Sequence, residues 1–186
     1  MADFQINTPR LTLIPFTIPM LEAIKKGPES FFRLTGHYLP EKFTEFPDSM
    51  DYTIAENKKN PPVLPWTSYA IILNEEQSYA GQCGFKSSPD AAGKIELGYE
   101  IAEVFRLRGL AQEAIAALID VAFSNQSVSG LIAHTLAQKN ISNHLLIKNG
   151  FIFENAIQDE TEGTIWLWSL SRQVYQLRKL LAVNLY

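Results

Sequence analysis

The chain has 186 residues, 46% hydrophobic and 19% charged, with a formal net charge of −4. That length and balance predict one compact domain with a sizeable core. Lys and Arg are scattered without a basic stripe, which argues against sequence-independent nucleic-acid binding; the lone cysteine, Cys83, excludes an internal disulfide and a cysteine zinc site.

The stretch Met1 to Gln5 carries neither a basic nor an apolar leader, and no run of about eighteen apolar residues occurs, so a soluble cytoplasmic protein off the membrane is expected. Arg10 to Pro15 alternates like an edge strand closed by proline. Met20 to Ile24 starts a helix that Gly27-Pro28 breaks. Glu29 to Pro65 is expected to be irregular. It is rich in rings (Phe31, Phe32, His37, Tyr38, Phe43, Phe46, Tyr52) and acids (Glu41, Glu45, Asp48, Asp51), with one helix over Asp51 to Lys59 stopped by Pro61-Pro62. Most of those rings are expected to be a small core under the loops.

Ser68 to Leu73 and Tyr79 to Phe85 read as strands around a polar turn at Asn74 to Gln77, with Cys83 as a buried thiol. Lys94 to Ala102 completes an antiparallel meander. Ala111 to Phe123 is the strongest helix: Ala111, Ala114, Ile115, Leu118 and Ala122 fall at i, i+3, i+4, i+7 and i+11, one stripe toward a core. Leu131 to Leu136 is a strand, and Asn143 to Asn149 a short helix closed by Gly150 with Phe151 just beyond. Phe151 to Ile157 and Thr164 to Leu170 form a closing hairpin. The tail from Arg172 places Val174, Leu177 and Leu181 at helical spacing. The expected organisation is a domain over residues 1–171 and a helical tail over 172–186. A meander followed by a strand–helix–strand unit makes the fold class α+β (mixed α/β), with helices on both faces of the sheet.

The segment Arg106-Leu107-Arg108-Gly109-Leu110-Ala111 reads Arg-x-x-Gly-x-Ala between a strand and the strongest helix. A glycine turn entering a helix aims free backbone N–H groups and the positive helix end at one spot, which suits a pyrophosphate. On this reading the amides of Leu107, Arg108, Gly109, Leu110 and Ala111 cup the phosphates, Gly109 permits close backbone approach, and Arg106 and Arg108 add charge. Alternation in the preceding strand puts Glu96, Gly98 and Glu100 on one face and Leu97, Tyr99 and Ile101 on the other.

In this order, four blocks resemble the GNAT superfamily of acetyl-CoA-dependent acetyltransferases, and more closely its ribosomal-protein N-terminal (alanine/serine) branch. They are Thr8 to Leu13, Glu96 to Ile101, Arg106 to Ala114, and Ser142 to Phe151. The branch usually has Asn three residues before the serine of the last block; here that position is Lys139, and Asn140 follows it. The resemblance implies a mostly antiparallel sheet of six or seven strands whose fourth and fifth strands splay apart around pantetheine. Its implied backbone partners include Ile101, Ala102 and Asn140, with an N–H near Ile101 polarising the acetyl carbonyl. It also implies Glu96 as the proton acceptor, Ser142 beside the thiolate, and Asn143 near the pantetheine arm; Ser142 equally reads as a helix N-cap.

The cosubstrate so implied is acetyl-CoA, with no metal, and the acceptor a primary amine, on a protein N-terminus or a small molecule. The protein is expected to be a monomer or a homodimer. Glu154, His134, His144 and His37 are weaker acid–base candidates. His134 is expected to be a packed strand residue and His144 to be exposed. Two other readings stay open: a non-catalytic acyl-CoA-binding sensor, and a nucleotide binder of another fold. The latter requires Lys94 to Ala102 and Leu131 to Leu136 to pair without a gap.

Overall fold

Leu11 and Leu13 are fully buried while Thr12 and Ile14 are not, and this alternation makes Leu11–Pro15 (β2) a strand with one face on a core. The same pattern recurs around it. In the computed structural model, which describes residues 4–47 and 49–183, one sheet contains β1 (Ile6–Asn7), β2, β3 (Ser68–Leu73), β4 (Ser78–Phe85), β5 (Lys94–Ile101), β6 (Gly130–Leu136), β7 (Ile152–Asp159) and β8 (Gly163–Ser171), ordered β1-β2-β3-β4-β5-β6-β8-β7. The sheet has eight strands rather than six or seven because the two-residue β1 adds an edge that alternation is too short to reveal. Every pairing is antiparallel except β5 with β6. Asp48, one of the acidic residues singled out above, and the ends Met1 to Asp3 and Asn184 to Tyr186 lie outside the described residues.

Thr17 caps α1 (Ile18–Lys26): its side chain accepts from the Met20 N–H. Gly27, at φ 106°, ends it. The chain then does not become irregular, as the sequence suggested. Pro28, which cannot continue α1, sits at the first turn of α2 (Pro28–Thr35), where its missing N–H costs nothing, and Phe31 anchors that helix with no exposed surface. Together with α3 (Ser49–Lys59), these helices cover one face of the sheet through Met20, Leu21, Ile24, Phe31, Met50 and Ile54, packed on Ala70, Ile72 and Tyr79. The sheet residues in that core come from β2, β3 and β4 alone.

The opposite face is covered by α4 (Leu110–Ser124), whose Ala114, Ile115, Leu118 and Ala122 are fully buried against Ile95, Leu97, Ile101, Leu131 and Ala133. Truncating Leu118 to Ala would cost about 2–5 kcal/mol from lost burial and the cavity left behind. Cys83 belongs to this core, and burial pushes its thiol up, so it is a packing residue rather than a thiolate.

After α5 (Ile141–Lys148), the Gly150 N–H bonds the Ile147 carbonyl and the Phe151 N–H the Leu146 carbonyl, with Phe151 and Leu146 both in the core. This is the expected glycine stop. The last helix, α6 (Arg172–Val183), is held to the domain at several points. Tyr175 stacks on Phe123 at 4.6 Å and bonds Asp120, Lys179 pairs with Asp120, and Arg178 donates to the Lys148 carbonyl. Leu177 and Leu181, read as part of a packing stripe, are instead more than half exposed, because Val174 and Tyr175 make the apolar contact.

The feature that positions a site is the failure of β5 and β6 to stay together. They pair only at Lys94↔Gly130, Ile95↔Leu131 and Glu96↔Ile132. Beyond Glu96 the two strands diverge, so the gapless pairing that another nucleotide-binding fold requires is absent.

Candidate active site

Main-chain direction along β5 follows from two bonds to β4. The Lys86 N–H donates to the Glu96 carbonyl, and the Ala102 N–H donates to the Ala80 carbonyl. In an antiparallel ladder successive residues alternate sides, so the even positions from Glu96 to Ala102 face β4; the last rung with β6 takes the Leu97 N–H, and the N–H groups of Tyr99 and Ile101 face the gap. On β6, the Gly130 N–H points toward Gly93 and the Ser129 carbonyl toward Arg172, so Ile132 faces β5 in the last rung and His134 and Leu136 turn their main chains to the same gap. The gap is therefore lined by N–H groups that neither strand satisfies, as if a strand were missing, while the Ile101 carbonyl is taken by Arg106 and the Leu136 carbonyl by the Gln138 N–H. Ile101 faces it as expected. Ala102 does not, because its N–H is spent on Ala80.

The gap opens into a cleft of about 720 Å³. Tyr99, Ile101, Phe105 and Leu110 line it from the α4 side, Glu45, Phe46 and Glu100 from the other, so it runs through the sheet. Arg106, Leu107, Gly109, Leu110 and Ala111 form one wall, and Asn140, Ser142, His144 and Lys148 another. The residues predicted to bind a cofactor are thus largely brought together. Arg108 and Asn143 are adjacent to the wall but do not line it.

The phosphate-binding geometry is in the backbone. Leu107 and Gly109 both adopt left-handed conformations, at φ 61° and 77°, and α4 starts immediately afterwards with no side-chain cap. The N–H groups of Leu107, Arg108, Gly109, Leu110, Ala111 and Gln112 find no hydrogen-bond partner among the described residues. Such a run of alternating turns ahead of a helix forms a concavity of donors at the positive helix end. A Cβ on Gly109 would meet only the Arg10 guanidinium, at 3.6 Å. Within the fold the glycine therefore answers to its backbone angle rather than to a protein neighbour.

The two arginines of the motif are otherwise engaged. Arg106 donates through Nε to the Ile101 carbonyl at 3.0 Å and pairs with Glu45 at 2.6 Å. Arg108 pairs with Glu76 at 2.7 Å and lies over the Phe105 ring. Lys148 is a cleft-lining cation without an ion pair among the described residues.

On α5, Asn140 is the N-cap: its Oδ1 accepts the Asn143 N–H at 3.0 Å. Ser142 is therefore the second residue of the helix and not its cap. Ser142 lines the cleft, and its hydroxyl finds no partner among the described residues. Asn143 is buried, donates to the Gln138 carbonyl at 3.0 Å, and leaves Oδ1 unpaired. His144 is exposed at the cleft rim, as expected.

Glu96 does not line the cleft. It sits at the last β5–β6 rung, on the face that α1 to α3 leave uncovered, where Oε1 receives His134 Nδ1 at 2.8 Å and Lys86 Nζ at 2.5 Å. Glu100 does line the cleft, but its carboxylate holds the 43–46 loop down, accepting from Thr44 Oγ1 at 2.7 Å, the Glu45 N–H at 2.6 Å and Gln82 Nε2 at 3.2 Å. Glu154 is exposed on β7 and bonds Ser169. His37 lies away from the cleft, over a depression formed with Ile14, Met20 and Leu34; burial lowers its pKa.

Three contributors escaped the sequence reading. The Tyr99 hydroxyl, its pKa pushed up to about 12 by burial, donates to the Ser142 carbonyl at 3.3 Å and ties β5 to α5 across the gap. Gln112 and Asn149 exchange amide hydrogen bonds, at 2.8 and 3.3 Å, and set the spacing of α4 and α5. Glu113 accepts from Thr8, from the Arg10 N–H and from the Arg10 side chain. No spacing rule reveals such pairs, because each partner comes from a distant part of the chain. Among the described residues no group of three or more His, Cys, Asp and Glu is placed to hold a metal, and no helix is long and apolar enough to cross a membrane.

Comparison with known proteins agrees with this geometry. Residues 10–152 match the family model for the acetyltransferase (GNAT) domain. An uncharacterized N-acetyltransferase, YjdG, of Bacillus subtilis is 28% identical over 152 residues, covering 81% of this chain and 90% of that protein. Among solved structures, mutant forms of the spermidine/spermine N-acetyltransferase SpeG from Vibrio cholerae superpose with a TM-score of 0.69 at 15% identity, covering 92% of this chain and 99% of theirs. The ribosomal L7/L12 alpha-N-protein acetyltransferase RimL in complex with coenzyme A does so with a TM-score of 0.66 at 12% identity, covering 90% and 98%.

Proposed function

The chain belongs to the GNAT acetyltransferase family, and from that premise we propose that it moves an acetyl group from acetyl-CoA directly to a primary amine. The observation that carries the reading is the coincidence of two features in one cleft. Unsatisfied amides from Leu107 to Gln112 form an anion cradle, and the gap-facing N–H groups of Tyr99 and Ile101 lead from it into the gap.

In this reading the diphosphate of coenzyme A rests on the cradle, with Lys148 at the rim. The extended pantetheine takes the place of the missing strand between β5 and β6. Its amides pair with β5 and β6 main chains, so the thioester is delivered in a fixed orientation, which lowers the entropic part of the barrier. A gap-facing N–H, of Tyr99 or Ile101, donates to the acetyl oxygen as negative charge develops there; one such donor is worth roughly 10²–10³ in rate. The amine enters from the face left open by α1 to α3, and Glu96 supplies the negative charge toward which its proton moves. Ser142, whose hydroxyl is unspent, stands where the leaving thiolate gains a proton. Cys83, buried in the core, offers no covalent route.

The acceptor site is bounded by the 42–46 loop, tied to the sheet by Glu100 and Arg106. SpeG and RimL are named for a polyamine and for a protein N-terminus respectively, and we propose the same class for this chain: a primary amine, on a small molecule or a peptide. The test is thiol release from acetyl-CoA across a panel of polyamines, amino acids, aminoglycosides and N-terminal peptides. Release with at least one amine, and an N-acetyl product by mass, supports the reading. Tight coenzyme binding with no release across the panel would replace it with a binding module.

A further inference from the structure

The uncovered face of the sheet holds a pair of which the acetyl-transfer reading so far uses only one member, Glu96. His134 is two residues past the last β6 rung, Ile132, and its ring reaches back across the split to Glu96, Nδ1 to Oε1 at 2.8 Å. Both side chains are only about one-fifth exposed, 23% for His134 and 20% for Glu96. The same Oε1 is held by Lys86 Nζ at 2.5 Å. A carboxylate so held is an acceptor only, so the proton in this contact belongs to Nδ1. That fixes the tautomer of the neutral ring and leaves the Nε2 lone pair free. No partner for Nε2 exists among the described residues.

We propose that His134 Nε2 is the atom that takes the acceptor amine's proton, and that Glu96 is the positioning carboxylate that orients the ring. The inference rests on the acetyl-transfer reading and adds the identity of the base. Along β6, His134 is level with about Gly98 of β5, so it stands across the splayed gap and, along the strand direction, one rise of roughly 3.3 Å short of Tyr99, whose N–H faces that gap. Gly98 has no side chain to intervene, and nothing lies within 4 Å of where its Cβ would be. Glu96 alone is poorly suited to the task, because its Oε1 is already held by both His134 and Lys86.

The step balances without any further reagent. The amine nitrogen bonds to the thioester carbonyl carbon, the carbon–sulfur bond breaks, the amine proton passes to His134 Nε2, and the thiolate takes a proton from solvent or through Ser142. Imidazolium formed at His134 is stabilised by Glu96, in direct contact, and at longer range by Asp159 on β7, two strands away on the same face. Lys86, from the turn after β4, is the cation that faces the pair, holding the same Glu96 oxygen. On β8 the residue opposite His134 is Leu167, which carries no charge. The Asp159 carboxyl is held low first by the Glu162 and Thr161 N–H groups, with His134 and Lys86 contributing.

The test combines three measurements on the full chain with acetyl-CoA and an accepted amine. His134→Gln should lower kcat about 10²-fold or more and abolish the acidic limb of the kcat/KM profile, with the Kd for coenzyme A within about twofold of wild type. His134→Gly should be partly restored by free imidazole. Nitrogen-15 NMR of the wild-type ring above its pKa should show the Nδ1–H tautomer, a readout independent of turnover and of whether a variant folds. A wild-type rate and an unchanged acidic limb in His134→Gln overturn the proposal while leaving acetyl transfer intact, as does an Nε2–H tautomer. A wild-type chain that binds coenzyme A but acetylates no amine overturns the acetyl-transfer reading, and the base assignment with it.

Discussion

Arg10 and Glu113 are 2.7 Å apart although 103 positions separate them, and their pairing anchors the cofactor loop. Glu113, in the first turn of α4, also accepts from Thr8 Oγ1 at 2.6 Å and the Arg10 N–H at 2.8 Å, while the Arg10 guanidinium donates to the Arg108 carbonyl at 3.0 Å. One carboxylate therefore fixes the corner before β2, and one guanidinium turns a loop carbonyl away from the amides that face the cleft. Arg10 is about half exposed, so the ion pair itself is worth about 1 kcal/mol or less. The geometric effect on the loop is larger. Glu113→Gln is expected to weaken coenzyme A binding several-fold and lower Tm by a few degrees, measured by calorimetric titration and thermal melts.

The same pair has a pH signature. Burial pushes the Glu113 carboxyl up, but the bonds from Thr8 and Arg10 outweigh it and the net shift is downward. A carboxylate with a lowered folded pKa contributes stability that is fully present above the ordinary glutamate value of about 4.3 and is lost as pH falls through the folded value. Wild type should thus lose stability below about pH 4 more steeply than Glu113→Gln. Parallel slopes in denaturant titrations across that range would remove Glu113 from the role.

Gly109→Ala and Gly109→Val separate backbone angle from clearance. At φ 77° any L side chain costs about 1–2 kcal/mol, more when β-branched. With ordinary contact distance available, Ala should fold and bind coenzyme A weakly, and Val should fold with binding lost. Full affinity in both would show that the loop tolerates another conformation.

Asn140 and Ser142 should part company. Asn140→Ala removes the cap of α5 and is expected to cost about 1 kcal/mol of stability, read as a drop in Tm. Ser142→Ala should leave Tm unchanged and lower kcat at constant coenzyme affinity. The opposite pattern would return the cap to Ser142.

Arg106→Lys keeps the charge but loses the fork that reaches both the Ile101 carbonyl and Glu45. Faster amide exchange over residues 42–46 and a raised KM for the amine, more than for acetyl-CoA, are expected. An effect confined to acetyl-CoA would mean that the arginine serves the phosphates.

Much of the fold was legible because its signals are local. The stripe Ala114, Ile115, Leu118 and Ala122, and the glycine stop at Gly150, each specify an element within one or two turns. The helix Pro28–Thr35 was missed because Pro28 reads equally as a breaker of one helix and the start of the next; Phe31, fully buried, decides it only once the other core residues are known. At the site, the loop from Leu107 to Ala111 was visible as a motif. The rest is long-range. Glu96 reads as a lone acid, and its pairing with His134 depends on where two strands stop pairing, which no alternation pattern encodes. Arg106 reads as phosphate charge, yet the fold commits it to Glu45.

The central claim is that the amides opening α4 grip the diphosphate of coenzyme A. Calorimetric titration of coenzyme A into the wild-type chain and into Gly109→Val tests it directly. Saturable one-site binding with a Kd on the order of micromolar, lost in the folded variant, is the predicted result. Absence of saturable uptake by folded wild type, or equal affinity in the two proteins, would contradict it.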